Sequence, residues 1–124
     1  MLVDKIILRT GSKFTSYIAE WAKSNCGELL MLSDRHLDLV SMESLLIFNQ
    51  NQHLTRDIIE YKSVFDKLQK PIHNIDINGT LSVGKNNLEL WIAVNKCKTI
   101  LIVGADELTN NVNLNRFLES IQSV

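Results

Sequence analysis

The stretch Ser44–Ile77, SLLIFNQNQHLTRDIIEYKSVFDKLQKPIHNIDI, decides how the rest of the chain is read. Its first five residues, SLLIF, form a continuous apolar run that suits a strand buried on both faces. A polar loop, Asn49 to His53, comes next. Thr55 then suits a helix N-cap, with Leu54 and Ile59 spaced as a hydrophobic staple. Ile58, Tyr61, Val64, Phe65 and Leu68 repeat at helical spacing and predict one buried stripe. Lys70-Pro71 ends that helix, because proline restricts its predecessor and has no amide to donate. Ile72 to Ile77 alternates as a strand. Strand, loop, helix and strand in that order make one parallel crossover. A competing reading makes 41–50 a helix and deletes the strand.

The same unit recurs on either side. Val3 to Leu8 is an apolar, β-branched run that ends in the turn Arg9-Thr10-Gly11-Ser12, with Ser12 placed to cap a helix. Phe14, Tyr17, Ile18, Trp21 and Ala22 give that helix its stripe, and Gly27 is expected to end it in the left-handed conformation. Glu28 to Leu32 reads as the second strand. Residues 33–43 have room for two helical turns only. Beyond Ile77, the turn Asn78-Gly79-Thr80 leads to a helix over roughly 86–97, a strand over Thr99–Val103 and a last helix over Val112–Ile121. Trp21 and Trp91 fall in phase with apolar faces and read as core. Strands alternating with helices at this pace predict a three-layer, Rossmann-like α/β sandwich, with a mostly parallel five-stranded sheet and helices on both faces. Right-handed crossovers gather every strand exit onto one rim, where ligands of such sheets bind.

At 124 residues the chain suits a single domain, 1–124, with one sheet. A net charge of −1 gives no basic surface for nucleic acid or an anionic membrane. No apolar run reaches the length of a membrane span and no secretory signal pattern opens the chain, so a cytoplasmic protein is expected. Cys26 and Cys97 stand far apart, in no metal-type spacing, and read as reduced thiols. No metal site and no cofactor are expected.

Short motifs need weighing. Gly79-Thr-Leu-Ser-Val-Gly84-Lys85 fits most of a phosphate-loop pattern, but Asn86 replaces the hydroxyl residue that would hold magnesium. Asp76-Ile-Asn78-Gly79-Thr80 has the outline of an aspartyl-phosphate loop with its second acid missing, and reads better as an Asx turn. Phosphoacceptor chemistry of the receiver type needs an aspartate at the end of the third strand, where Asn49 stands. Asp34-Arg35-His36 puts a carboxylate, a cation and an imidazole on one loop, which a solvated turn explains better unless a partner converges on the histidine.

Three segments together resemble the SLOG superfamily, the Rossmann-like group that includes nucleotide phosphoribohydrolases and molybdenum-carrier proteins. KIILRTGSKFTSYIAEWA (Lys5–Ala22) is similar to its first strand, glycine-bearing turn and helix. The Ser44–Ile77 stretch resembles its later unit, and LELWIAVNKCKTILIVGADELTNNVNLNRFLESI (Leu88–Ile121) its closing helix–strand–helix. The resemblance implies a nucleotide-type phosphate bound by glycine-bearing loops at helix N-termini. The first such loop keeps Gly11 and Ser12. The second is Asn49-Gln-Asn-Gln-His53, without glycine, and only Thr55 matches.

The expected ligand is therefore nucleotide-like or otherwise anionic, or else a protein partner, with a homodimer supported by any exposed apolar edge. The candidate ligand-binding residues are Thr10, Gly11, Ser12 and Lys13 after the first strand, Arg35, and Asn49 and Thr55 around the middle loop. Backbone amides at 11–13 and the Thr55 hydroxyl would hold the anion, and Arg35 or Lys13 would neutralise it. The alternative is a nucleoside-phosphate N-glycosidase with Asp34 or Glu60 as its acid.

Overall fold

The computed structural model describes residues 3–121. Five strands, β1 (Val3–Arg9), β2 (Cys26–Leu32), β3 (Leu45–Asn49), β4 (Ile72–Asp76) and β5 (Thr99–Gly104), form one sheet in the order β2-β1-β5-β3-β4. Every pairing is parallel. The helices are α1 (Lys13–Ala22), α2 (Arg56–Lys67), α3 (Leu81–Asn95) and α4 (Val112–Ser120).

Handedness sorts the helices. The chain steps one way along the sheet from β1 to β2 and from β4 to β5, and the other way from β3 to β4. Right-handed crossovers then place α1 and α3 on one face and α2 on the opposite one. The two cores agree. Phe14, Ile18, Leu88, Leu114 and Phe117 pack with Leu46, Phe48 and Ile102 on one side. Ile58, Phe65 and Met42 pack with Leu45, Ile47 and Val103 on the other. Alternate residues of β3 thus serve alternate faces, and all five are buried. This settles the competing reading: Leu45–Asn49 is a central strand, paired with both β4 and β5.

Between β2 and β3 the chain makes two short 3₁₀ turns, Asp34–His36 and Leu39–Ser41, in keeping with the room that residues 33–43 offer. Several other expectations need correction. Gly27 does not end α1. The helix stops at Ala22, Asn25 turns back with its side-chain amide on the Trp21 carbonyl at 2.7 Å, and Gly27 lies inside β2. Leu68 falls just beyond α2 and is exposed, as is Ile59, so neither completes the stripe or the staple. The helix ends instead on Gln69, left-handed at φ 54, with Lys70 N–H donating to the Phe65 carbonyl at 3.0 Å. Helix α3 begins at Leu81, five residues before the expected start. Ser82, Gly84, Asn86 and Asn87 are weak helix formers and hid its first turns. Packing overrides that weakness: a Cβ on Gly84 would stand 3.0 Å from the Phe117 ring, so the glycine seats α4 against α3. Gly84 and Lys85 are therefore helical, and Gly79–Lys85 is not a phosphate loop.

Candidate functional site

Parallel strands put the exits of β1, β3 and β5 on one rim, and the order reverses between β1 and β3, across β5. Arg9, the last residue of β1, reaches across that crevice toward α2. Its Nη2 lies 2.8 Å from Asp57 Oδ2, its Nη1 donates to the Tyr61 hydroxyl at 2.7 Å, and its Nε stands 3.7 Å from Asp34 Oδ1. The Tyr61 hydroxyl donates in turn to Asp34 at 3.2 Å. Asp57 also accepts from the Thr55 hydroxyl and from the Ile58 amide. The crevice is closed by these groups together with Phe14 and Gly104. A Cβ on Gly104 would meet the Phe14 ring at 2.6 Å, so nothing larger than glycine fits at the end of β5.

Two carboxylates of the chain itself sit at helix N-termini on this rim. Asp57 occupies the first turn of α2, and Asp106, from the loop after β5, accepts the Phe14 amide of α1 at 3.1 Å. Each gains from the partial positive charge of a helix N-terminus. Neither stands among the ligand-binding residues chosen from the sequence. The available signals were an arginine closing the first strand and an acid two residues past a helix cap.

Burial pushes the Asp57 carboxyl up, but hydrogen bonds from Thr55 and Arg9 and the charge of Arg9 outweigh it and leave the group below its ordinary range. The sign follows from linkage: a carboxylate held low in the folded state contributes stability above its unfolded value, lost as the pH falls through the folded one. Asp57→Asn is expected to remove that part of the acid dependence. Wild type and variant should therefore converge in unfolding free energy as pH falls below about 4. Denaturant titrations at pH 7, 4 and 3 test this, and a gap independent of pH would refute it.

The candidate residues distribute unevenly. Thr10 and Gly11 are exposed on the β1–α1 loop, with Gly11 left-handed at φ 96. The Ser12 hydroxyl caps α1 by accepting the Thr15 amide at 3.0 Å, and Lys13 is exposed. Gly11, Ser12 and Lys13 border, with Ser16, Tyr17 and Thr109, an open groove of about 600 Å³. Thr55 holds the N-cap position of α2, but its hydroxyl proton is committed to Asp57. Asn49 is buried, and its Oδ1 accepts the Gln52 amide at 3.0 Å. Arg35 is exposed on the first 3₁₀ turn; its neighbour Asp34, not Arg35, joins the Arg9 network. Glu60 is exposed on α2.

The middle loop folds as a tight turn, with His53 N–H on the Gln50 carbonyl at 3.1 Å and both central residues left-handed, Asn51 at φ 56 and Gln52 at φ 65. Such a turn suits two glycines. Amide side chains anchor it instead. Asn78 Nδ2 donates to Asn51 at 3.2 Å, Asn111 Nδ2 donates to Gln50 at 3.0 Å and to Asn78 at 2.9 Å, and Asp76 accepts the Asn51 amide at 3.1 Å.

These features define a Rossmann-like α/β domain with its rim at the switch in strand order. The chain matches, among solved structures, the putative molybdenum carrier protein from Syntrophus aciditrophicus SB, with a TM-score of 0.74 over 97% of this chain and 94% of that one. The two are 12% identical, so what they share is the fold. No protein-family model matches the chain, and no curated protein matches it in sequence. Among the described residues no helix is long and apolar enough to cross a membrane.

Proposed function

We propose that this domain is a non-catalytic binding module for a small oxyanion, nucleotide-like or inorganic, held on the β1–α1 loop at the rim of the sheet. One observation carries the reading. The amides of Gly11, Ser12 and Lys13 donate to no acceptor among the described residues, while the Phe14 and Thr15 amides beside them are taken. Three successive donors at the start of a helix, with a lysine among them and open space above Gly11, suit an anion. The structural neighbour bears the name putative molybdenum carrier protein, which makes molybdate a natural probe beside adenosine monophosphate.

Lys13→Glu is the discriminating variant. An acid in the first turn of α1 favours the helix by a few tenths of a kcal/mol, so the melting temperature should hold or rise slightly. Binding of either anion, followed by calorimetry, should fall at least tenfold. A side chain at Gly11 is a poorer test, because φ 96 strains any L residue. If the wild-type chain binds neither anion, the oxyanion reading fails. Incubation with the monophosphate should release no free base, since Asp34 is held by Arg9 and Tyr61.

A further inference from the structure

Helix α3 is apolar on two sides. Leu88 is buried in the core, and Trp91 and Ile92 pack against it, yet Val83, Leu90 and Val94 remain 54%, 62% and 69% exposed. At about 100° per residue these three lie within 40° of one line, with Asn87 beside it. The spacing 83-87-90-94 is the four-three-four step of a helix–helix seam, with one asparagine at a position that sets register. A lone surface helix face would be polar.

The flank continues into the sheet. β4 is an edge strand, and α3 lies against it: the His73 ring stacks on Trp91 at 5.3 Å, and Asn74, Asp76, Val83 and Asn87 line one shallow groove. The Pro71 carbonyl and the Ile77 amide bond inward to β3, so by alternation the backbone groups of Ile72 and Asn74 face outward. No bulge, lysine or proline within Ile72–Asp76 protects that edge.

From this we infer that the β4–α3 flank is the interface of a two-fold homodimer, with β4 pairing antiparallel to its copy and the two α3 stripes packed together. Register argues for a second copy over another occupant. Trp91 stacks on His73, and Asp76 lines the same groove as Val83, so Asn74 lies level with the middle of α3. One axis at Asn74 therefore brings strand to strand and stripe to stripe at once. It sets Val83 against the partner's Val94 and the two Asn87 amides within about a helical turn of each other, where each can donate and accept. Area argues the same way. A 15-residue helix is about 22 Å long and cannot alone supply the roughly 800 Å² per partner of a standard interface, so the strand edge has to take part.

Sedimentation velocity on the full chain tests this. Wild type should run at twice the 14.1 kDa chain mass at about 100 µM, above the micromolar limit usual for interfaces of this size. Leu90→Lys places a charge in the seam, and Asn74→Pro removes the outward amide without touching the bonds to β3. Each should shift the sample to monomer with an unchanged circular dichroism spectrum. A monomeric wild type overturns the inference, and so does a dimer that survives either variant in folded form.

Discussion

Phe48→Ala is expected to lower the unfolding free energy by about 4 kcal/mol. Phe48 is 1% exposed in the central strand β3. Its ring lies 5.9 Å from Phe14 of α1 and 5.8 Å from Phe117 of α4, the latter edge to face. Removing it takes away the buried ring area and both aromatic contacts. The resulting cavity cannot collapse easily, because Phe14 is also wedged against Gly104 on the neighbouring strand. A domain of this size has about 5–15 kcal/mol in total, so the variant should be marginal or unfolded at 37 °C. Urea unfolding at 25 °C with an unchanged slope would read the loss directly. A loss below about 2 kcal/mol would show that the helices close over the gap and that the aromatic cluster is not the keystone of that face.

The fold was legible because its signals are long and mutually consistent. Lys70-Pro71 and the Ile72–Ile77 alternation favour SLLIF as a doubly buried strand over a helix, and its pairing with β4 and β5 bears that out. Where sequence reasoning slipped, a residue's local preference pointed away from what packing required. Gly27 looked like a helix terminator and is a strand residue. Gly84 was left outside a helix expected to begin at 86, and it lies inside α3 as a contact for Phe117. The site was less legible for a different reason. Pattern shows which loops share a rim, not which side chains cross it. Arg9 and Asp57 are 48 positions apart and meet only because β1 and β3 flank β5. Asp106 reaches α1 from the far end of the chain. Thr55 was read as a ready donor for a ligand, while its neighbour two residues on takes that proton.

Asn49→Asp is expected to cost about 3 kcal/mol at pH 7, although the two side chains are nearly the same shape. Asn49 is 1% exposed. Its Oδ1 accepts the Gln52 amide, and its Nδ2 has no partner among the described residues. In the aspartate one oxygen would keep the Gln52 bond and the other would face no donor, with the Asp76 carboxylate already anchoring the same turn. Burial and like charge both raise the pKa of such an acid. A loss of 3 kcal/mol corresponds to a folded value about two units above the unfolded one, near pH 6. The sign follows: the protonated acid is tolerated, so the penalty is small below about pH 4, grows as the pH rises toward 6, and is flat beyond. Stability of wild type and variant at pH 4, 5, 6 and 7 traces that curve. The same measurement decides whether Asn49 belongs with the ligand-binding residues. A loss under about 1 kcal/mol that does not vary with pH would mean that the amide opens onto the rim, where water solvates a charge and a ligand can reach it. The steep, pH-dependent loss instead assigns Asn49 to holding the Gln50–His53 turn in place, and leaves recognition to the β1–α1 loop.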